Sequence, residues 1–599
     1  MDIEVSSGGV HGAVPKLQDN PAAAAAAAEP WPPARRKESR RRRVLLAAGL
    51  MALVLLAFFV LGRESASTAW EIASAKLITA MNNGGGFMNA PSHGHAAAGN
   101  PTEENAADEL LGGLLAPGMD QRSCRSRYEL FRYFKHFPYA PSPYLLSKLR
   151  AYESLHRRCA PGTALYADAI SRLKAGSGSA AGEESCRYIV WLPFDGLGNR
   201  MLSMASGFLY ALLTGRVFLV AVPPDSAGLF CEPFPNTTWL LPVDDFPVAN
   251  LFGLGVSPDV SYTTLLNNNK ISAVVSDAGD GGESNATAAP AYVYLSLGWQ
   301  LTDRLFFCGE HQRAIARVGW VLLYSDLYFA PSLYGVSGEF RDELRRLFPA
   351  KEAAGHLLLR YLLHPGNHVW GLATRYYHAY LAPASRRVGV QIRMFGFGSI
   401  PADDMYGQIL ACSRQEHILP ETFDDGADDD DSAAAASETK NSTAILIASL
   451  YADYYERLRS RYYKHATSAA GGGGGGGWVG VFQPTHEEVQ ETGKLEHNRK
   501  ALAEIYLLSF SDEIVTSGIS TFGYVSASLA GVRPTILLTA FGHKVPKPPC
   551  RRAVSMEPCN LTPPSADVKC RSKEGVDGED VARHVRTCED KDGGVKFFD

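Results

Sequence analysis

The hydrophobic pattern begins with one long apolar run near the N-terminus. Residues 44–61 are 18 consecutive apolar residues without a charge, and as a helix they would span about 27 Å, enough for a thin bilayer. Seven Lys and Arg residues lie within positions 35–43, so the positive-inside rule puts the N-terminus in the cytosol. A cleaved signal peptide would be shorter and would lie nearer the start of the chain. We therefore predict an uncleaved type II membrane anchor, with everything after residue 62 in a lumen.

Beyond the anchor, apolar runs of strand length alternate with stretches of helical periodicity. A first group predicts a strand over 187–192, a helix over 200–214 and a strand over 216–222. A second group predicts strands that begin near 387, 478, 513 and 533, with helices over about 444–462, 499–510 and 521–530. This alternation is typical of parallel sheets, where ligands bind beyond the carboxyl ends of the strands. The sequence predicts an α/β fold with two Rossmann-like lobes and a cleft between them.

Segments of biased composition divide the chain further. We predict a disordered cytosolic tail (1–43), the transmembrane anchor (44–61), a flexible luminal stem (62–120), an N-terminal lobe (121–380), a C-terminal lobe (381–549) and a Cys-rich tail (550–599). An acidic stretch at 424–431 and a run of seven glycines at 471–477 interrupt the periodic segments. Both interruptions indicate surface insertions rather than parts of the core.

Composition narrows the classes of function. The chain has 599 residues, of which 46% are hydrophobic and 20% charged, as in a globular protein. Lys and Arg number 58 against 63 Asp and Glu, a net charge of -5, so a surface that neutralises nucleic-acid phosphates is not expected. The ten cysteines include no Cys-x-x-Cys pair, which removes the support for a zinc ribbon or a thioredoxin-like site.

A luminal location gives meaning to two further patterns. Asn-x-Ser/Thr glycosylation acceptors occur at Asn236, Asn285, Asn441 and Asn560. The C-terminal tail contains Cys550, Cys559, Cys570 and Cys588. In an oxidising lumen these cysteines would form disulfide bonds that stabilise a segment without strong periodicity. If the four pair only among themselves, three pairings remain open.

A glycine-rich turn separates the first predicted strand from its helix. It contains Gly198, Asn199 and Arg200, in a context where backbone amides can approach a phosphate. Met201 stands where a dinucleotide-binding fingerprint needs its third glycine, so nicotinamide or flavin dinucleotides are disfavoured. The alternative is an ordinary strand-to-helix turn. The guanidinium favours a turn that lines the cleft, and we predict these three residues as donor-binding.

An anion site is predicted in the second group of strands. Arg393 closes the strand that contains Gln391, and its guanidinium offers a bidentate fork to a diphosphate; the alternative is an ion pair with a neighbouring helix. The last helix opens with Ser520, Thr521, Phe522 and Gly523. Free amides at a helix N-terminus favour an anion, although a simple N-cap has the same pattern. Because Arg393 and this helix start both follow strands of one predicted sheet, together they indicate an anion site more strongly than either does alone.

Other candidates concern sugar and base recognition. Asp326 and Tyr328 lie in a segment of aromatic and turn residues, which suits a sugar hydroxyl and a C–H face; a capping Asp is the alternative. His486 follows a strand end and could face a nucleotide base or ribose, or lie in a plain loop. No Asp-x-Asp pair closes a strand, and the acidic residues at 428–431 and 590–592 have the pattern of solvated charge. We therefore expect neither a metal nor another cofactor.

These segments together resemble a known family. DGLGNRMLSMASGFLYALLTGRVFL, YSDLYFAPSLY, YLLHPGNHVW, VGVQIRMF, VFQPTHEE and HNRKALAEIYLLSFSDEIVTSGISTFGYVSASLAG, together with the type II anchor, are similar to the plant cell-wall, xyloglucan-type galactoside α-1,2-fucosyltransferases of glycosyltransferase family 37. The resemblance runs in order from about residue 124 to residue 549. The acidic insertion, the glycine run and the long N-terminal tail depart from the shared pattern.

The resemblance implies a Golgi enzyme of the two-domain GT-B type. It would transfer L-fucose from GDP-L-fucose to the 2-hydroxyl of a galactosyl residue on a cell-wall polysaccharide or glycoprotein glycan, with inversion and without metal. The C-terminal lobe would bind GDP-fucose and the N-terminal lobe the acceptor. Arg393 would contact the diphosphate, residues 520–523 would help hold GDP, and Asp326 would orient or deprotonate the acceptor hydroxyl.

Two rival functions remain open at this stage. One is a membrane-anchored glycan-binding or assembly protein that has lost turnover, and the other is a transferase that uses a different nucleotide sugar. Xyloglucan is favoured over arabinogalactan glycans as the acceptor. The sequence leaves open the disulfide pairing, the need for a general base, and whether the chain forms a homodimer through its anchor or stem.

Overall fold

Two sheets of mainly parallel strands, flanked by helices, organise the part of the chain that a computed structural model describes. It describes residues 108–177, 185–255, 258–272, 289–336, 338–422, 442–465, 478–564, 568, 570 and 578–599, and all of them belong to one unit, Glu104–Asp599. The predicted tail, the anchor, most of the stem and both low-complexity insertions lie outside these ranges. Within them, no helix is both long and apolar enough to cross a bilayer.

The first sheet is parallel and lies in the N-terminal half. Its strands are β1 Tyr188–Leu192, β2 Val217–Val220, β3 Tyr292–Ser296 and β4 Trp320–Tyr324, in the order β2-β1-β4-β3. All five residues of β1 are buried, as expected for a parallel strand covered by helices on both faces.

The second sheet lies in the C-terminal half. Its strands are β5 Arg386–Ile392, β6 Thr443–Ser449, β7 Val479–Phe482, β8 Glu513–Ser517, β9 Thr535–Leu537 and β10 Cys550–Arg552. The order is β10-β9-β8-β5-β6-β7, parallel except for β10. The strand order reverses at β5, because β6 and β7 lie on one side and β8 and β9 on the other. Ligands of such sheets bind at this switch point.

Helices connect and cover the strands. The α-helices are α1 Arg125–Glu129, α2 Pro143–Cys159, α3 Ala164–Lys174, α4 Leu197–Thr214, α5 Tyr262–Asn267, α6 Gly309–Ala316, α7 Ala330–Gly335, α8 Arg341–Leu347, α9 Ala354–Leu362, α10 Asn367–Tyr376, α11 Ala402–Glu416, α12 Asp453–Lys464, α13 Leu495–Ser509, α14 Thr521–Ala530 and α15 Gly578–His584. A π-helix, Tyr377–Leu381, follows α10, and 3-10 helices occur at Leu130–Arg132, Pro224–Ser226, Val243–Asp245, Leu251–Gly253, Arg304–Phe307, Lys351–Ala353 and Gly396–Gly398. A small hairpin, β11 Val585–Thr587 and β12 Val595–Phe597, lies near the C-terminus.

One hydrophobic core joins the two halves. It includes Phe208 of α4, Tyr361 of α9, Tyr506 of α13 and Val525 of α14, all of them buried. The Tyr506 hydroxyl also donates a hydrogen bond to the Leu363 carbonyl oxygen at 2.6 Å. Because α4 and α14 share this core, their N-termini are held in a defined position relative to each other.

The predicted helix over 444–462 is wrong in its first half. Residues Thr443–Ser449 form β6 between β5 and β7, and the helix α12 begins only at Asp453. All seven residues of β6 are buried, because it is a central strand covered on both faces. A continuous apolar run of this kind cannot be assigned to strand or helix from periodicity alone.

All ten cysteines are paired. The pairs are Cys124–Cys231, Cys159–Cys186, Cys308–Cys570, Cys412–Cys550 and Cys559–Cys588. Of the four tail cysteines, only Cys559 and Cys588 pair with each other. Cys550 is bonded to α11, and Cys570 is bonded to Cys308 just before α6, so the tail is fastened to both halves of the molecule.

Candidate active site

A cavity of about 210 Å³ lies where loops from the two sheets meet. One wall is the turn after β1, which leads into α4. The opposite wall is formed by residues at or after the carboxyl ends of β5, β6, β7 and β8 and by one face of α13. The cavity thus occupies the switch point of the second sheet and faces the first.

Two helix N-termini converge at one side of this cavity. Asn199 in the first turn of α4 accepts a hydrogen bond from Thr521 Oγ1 at the start of α14. Gly198 is so close to α14 that a Cβ atom there would lie 2.8 Å from the Phe522 backbone nitrogen. Because helix N-termini carry free amides and partial positive charge, this junction favours an anion. Gly198, Asn199, Ser520, Thr521 and Phe522 all line the cavity.

Arg393 lines the same side of the cavity. Its backbone N–H donates to Ser517 Oγ at 2.8 Å, and its guanidinium lies 5.6 Å from the centre of the Phe395 ring. Among the described residues its side chain forms no ion pair. The neighbouring Gln391 also lines the cavity and accepts a hydrogen bond from Thr516 Oγ1 at 2.8 Å. The predicted alternative, a guanidinium committed to a helix, therefore does not apply to Arg393.

Arg200 is held differently, and its placement corrects the prediction that it binds the donor. Its Nη1 donates to Asp225 Oδ1 and to Ser226 Oγ, both at 2.8 Å, and its Nε donates to the Asp195 carbonyl oxygen at 2.9 Å. The residue is buried and is not part of the cavity wall. Arg200 therefore fixes the loop after β1 through the hydrogen bonds that its Nε and Nη1 donate.

Gly523 and His486 also do not line the cavity. A Cβ atom at Gly523 would lie 1.7 Å from Thr516 Oγ1, so this glycine lets α14 pack on β8 rather than contacting a ligand. His486 is exposed, and its ring packs edge-on against Tyr455 at 5.7 Å. The donor-binding predictions for these two residues do not fit their positions.

The loop before α14 is strained and is supported by the C-terminal tail. Ile519 has a φ of 61°, a conformation that is unfavourable for a β-branched residue. Its backbone N–H donates to Asp590 Oδ2 at 2.7 Å, and the Tyr524 hydroxyl donates to the same oxygen at 2.6 Å. Asp590 is buried, so its interpretation as solvated charge is wrong.

The other side of the cavity carries carboxylates. Glu504 of α13 accepts a hydrogen bond from Thr485 Oγ1 at 2.5 Å, and burial raises its pKa to about 8. Glu487 contacts Lys500, and its pKa is lowered mainly by that hydrogen bond. Glu504 is not among the residues predicted from the sequence. The available signal was a charged residue in the apolar run Leu-Ala-Glu-Ile-Tyr at 502–506.

Asp326 lies just beyond the cavity, at the carboxyl edge of the first sheet. It is 6% exposed, and burial, with a further contribution from Asp195, raises its pKa to about 7. Asp326 Oδ1 has no hydrogen-bond partner within the described ranges. A Cβ atom on Gly298, after β3, would lie 3.3 Å from that oxygen. The next residue, Trp299, is 60% exposed.

Tyr328 is not at this edge, which corrects the prediction of an acceptor contact. It is buried in the core, and its hydroxyl donates to Glu557 Oε2 at 2.8 Å. Burial is the main cause that raises the pKa of Tyr328 well above its usual value. The hydroxyl is thus engaged by the C-terminal tail and has no access to a sugar.

The glycosylation predictions meet different outcomes. Asn236 is exposed, whereas Asn560 is fully buried and its Nδ2 donates to Ser332 Oγ at 2.8 Å. A glycan on Asn560 is incompatible with this packing, so that prediction is wrong. Asn285 and Asn441 lie outside the described residues.

In the part of the chain that the structure describes, no group of three or more His, Cys, Asp or Glu side chains is arranged to hold a metal ion. The acidic stretch 428–431 lies outside these ranges. Metal independence stays a prediction.

The chain is similar to known proteins over most of its length. A family model described as xyloglucan fucosyltransferase matches residues 81–571. The chain is 44% identical over 492 residues to a galactoside 2-alpha-L-fucosyltransferase of Arabidopsis thaliana, covering 82% of this chain and 83% of that protein. It is 41% identical over 495 residues to one of Pisum sativum, with 82% of each chain covered.

A solved structure is similar over the same region. An arginine-to-lysine mutant of Arabidopsis thaliana FUT1 in complex with GDP is 42% identical to this chain, with a TM-score of 0.69. The match covers 82% of this chain and all of that one.

Proposed function

This chain belongs to the xyloglucan fucosyltransferase family, and on that premise we propose that it transfers L-fucose from GDP-L-fucose to the 2-hydroxyl of a galactosyl residue. The observation that carries the proposal is the convergence of Arg393 with the N-termini of α4 and α14 on one cavity. The GDP bound to the similar FUT1 structure and the names of the relatives support the choice of donor and acceptor.

The cavity suits the departure of a nucleoside diphosphate. When the bond between fucose C1 and the β-phosphate oxygen breaks, the electron pair leaves with GDP, and negative charge grows on the diphosphate. A fixed guanidinium and free backbone amides stabilise such charge without reorganisation. In this proposal Arg393 and the amides of residues 521–522 supply that stabilisation, and no metal takes part.

The acceptor would bind at the carboxyl edge of the first sheet. The attacking 2-hydroxyl must lose a proton as its bond to C1 forms, and Asp326, with a pKa of about 7, is the nearby group suited to orient that hydroxyl or accept the proton. The exposed indole of Trp299 offers an apolar surface for the C–H face of galactose. Attack from this side, opposite the departing diphosphate, gives inversion at C1.

The finer description of the fold and its location follows from the same premise. We assign the two sheets to the two lobes of a GT-B transferase, with the donor bound by the C-terminal lobe and the acceptor by the N-terminal lobe. The apolar run 44–61 would anchor the enzyme in the Golgi membrane with its catalytic part in the lumen. Xyloglucan is the proposed acceptor polymer.

A single assay tests this function. Full-length chain in detergent is incubated with GDP-fucose and galactosylated xyloglucan oligosaccharides, and the product is analysed by mass spectrometry and linkage analysis. We expect fucose on the galactose 2-hydroxyl, no product after removal of the galactose, little activity with other nucleotide sugars, and unchanged activity in EDTA. Binding of the oligosaccharide without turnover would favour the inactive-binder alternative, and turnover with another donor would favour the rival transferase.

A further inference from the structure

Three phenylalanine rings form a row that begins at the cavity. Phe395 lines the cavity beside Arg393, whose guanidinium lies 5.6 Å from the centre of the Phe395 ring. Phe397 stacks on Phe395 with the ring centres 5.3 Å apart and the planes 3° apart. Phe541 stacks on Phe397 with the ring centres 5.9 Å apart and the planes 14° apart. The row therefore leads from the cavity wall out to the protein surface.

The two outer rings of this row are largely open to solvent. Phe397 is 53% exposed and Phe541 is 59% exposed. Because stacked rings in contact have planes about 3.5 Å apart, centre distances of 5.3 and 5.9 Å mean that neighbouring rings are displaced sideways by about 4 to 5 Å. Part of each ring face thus stays uncovered. Clustered apolar side chains that remain exposed in this way are typical of a binding surface.

The two loops that carry the outer rings are fastened to each other. One loop follows β5 and the other follows β9. His543 Nδ1 donates a hydrogen bond to the Ser399 carbonyl oxygen at 2.6 Å. A Cβ atom at Gly398 would lie 2.5 Å from Thr539 Cγ2, so a glycine is needed for this close packing. The rings are therefore presented on a preorganised surface, which lowers the entropy cost of binding a ligand.

The size and the surroundings of the patch favour a sugar chain over a second copy or a membrane. Two phenylalanines a little over half exposed offer about 200 Å² of apolar surface, whereas a stable protein interface buries about 800 Å² on each partner. The exposed Asp403 and Asp404 follow the first loop, and the exposed Lys544 and Lys547 follow Phe541. These charges balance, whereas an anionic bilayer attracts a cluster of cations. A neutral polysaccharide needs only the apolar ring faces.

We propose that Phe397 and Phe541 bind the neutral sugar chain that carries the acceptor galactose, outside the catalytic cavity. The inference rests on the proposed function, because it takes the cavity to be the place where galactose meets GDP-fucose. The rings would pack against the C–H faces of sugars further along the chain and would not touch the reacting atoms. A long acceptor would therefore bind more tightly than a short one that ends in the same galactose.

The test compares a galactosylated xyloglucan oligosaccharide with a galactose-terminated disaccharide as acceptors for the full-length chain in detergent. Kinetics are measured for the wild type, the double variant Phe397→Ala/Phe541→Ala and the control Phe252→Ala, at another exposed phenylalanine. In the double variant we expect about a tenfold higher KM for the oligosaccharide, with unchanged kcat, GDP-fucose KM and disaccharide KM. The control should match the wild type. Because the rings are exposed, the melting temperatures of the three proteins should agree.

A binding measurement separates this inference from the proposed function. Galactose-free xyloglucan oligosaccharide is titrated into each protein by calorimetry, and the double variant should bind it about tenfold more weakly than the wild type and the control. If the wild type binds this oligosaccharide through the two rings but transfers no fucose, the proposed function is wrong and the sugar-chain surface stands.

Other outcomes would overturn the inference alone. If fucose is transferred and the double variant has the wild-type KM for the oligosaccharide, the rings do not bind the chain. An equal rise in both acceptor KM values would mean that the rings contact galactose itself. A changed oligomeric state in light scattering, with unchanged KM values, would assign the patch to a second copy. If the double variant melts at a lower temperature, Phe541→Ala alone decides by the same ratio of acceptor KM values.

Discussion

Replacing Arg393 by alanine should reduce turnover, whereas replacing Arg200 by alanine should reduce the stability of the fold. Both arginines lie beside the loops that face each other across the cavity, and the sequence predicts both as donor ligands. In the structure, the Arg393 guanidinium has no ion-pair partner among the described residues, whereas Arg200 donates to Asp225, Ser226 and the Asp195 carbonyl. The two substitutions therefore remove different interactions.

The expected magnitudes follow from these contacts. Loss of one fixed donor to a developing anion costs about 3 kcal/mol of transition-state stabilisation, or roughly 150-fold in kcat. Because the fold does not use the Arg393 guanidinium, Arg393→Ala should leave the melting temperature nearly unchanged. Arg200→Ala leaves Asp225 without its cation in a largely buried position, which costs about 3 kcal/mol of folding free energy. The kcat of Arg200→Ala, calculated per folded molecule, should fall much less than the kcat of Arg393→Ala.

The assay measures GDP release at saturating GDP-fucose and galactosylated acceptor, together with thermal melting of the same preparations. Arg393→Lys serves as the matched control, since it keeps the charge but loses the bidentate fork, and it should fall between wild type and Arg393→Ala. A stable Arg200→Ala with a hundredfold lower kcat would refute the reasoning, as would a fully active Arg393→Ala.

Three further expectations follow from the site. Because burial raises the pKa of Asp326 to about 7 and only its carboxylate form can accept the acceptor proton, kcat of the wild type should rise between pH 5 and 8 and level off above about pH 7; a flat profile would exclude Asp326 as the base. Trp299→Ala should raise the acceptor KM about tenfold without changing the GDP-fucose KM, because it removes the indole proposed to contact galactose. The control Trp478→Ala, at another exposed tryptophan, should change neither KM. If Trp299→Ala and the wild type have equal acceptor KM values, galactose does not stack on Trp299. Gly198→Ala introduces a Cβ atom 2.7 Å from Thr521 Oγ1, so it should separate the two helix starts and raise the GDP-fucose KM about tenfold; an unchanged KM would show that this close contact is not needed.

Local patterns were sufficient for several elements. The strand β1, the helix α4 and the strand β2 match the predicted segments within three residues, because β1 and β2 are apolar runs of strand length and a glycine-rich turn separates β1 from α4. The strand β6 was predicted as a helix, since its seven buried residues carry no alternation. The helix α11 was not predicted at all. Boundaries were thus recovered where turn residues separate neighbouring elements, as Gly196 and Gly198 do after β1.

Position along a strand was a useful guide to the site, but only up to a point. Arg393 and residues 520–522 were predicted because they follow strand ends, and the structure brings them to one cavity. The same reasoning selected Arg200, and its engagement by Asp225 could not be seen from the sequence because no local pattern marks that contact. The burial of Asn560 against Ser332 and of Tyr328 against Glu557 depends on where the C-terminal tail packs.

The amino-acid sequence by itself determined the type of fold, the family resemblance and the residue types available at strand ends, because these depend on spacing within short segments. Only the tertiary structure decided which of those side chains remain free for a ligand. The packing of whole elements brings together residues that are distant in the sequence. Examples are Cys308 and Cys570, separated by 262 positions, and Asn199 and Thr521, which lie in different halves of the chain. A side chain can bind a ligand only if that packing leaves its hydrogen-bonding groups without an internal partner.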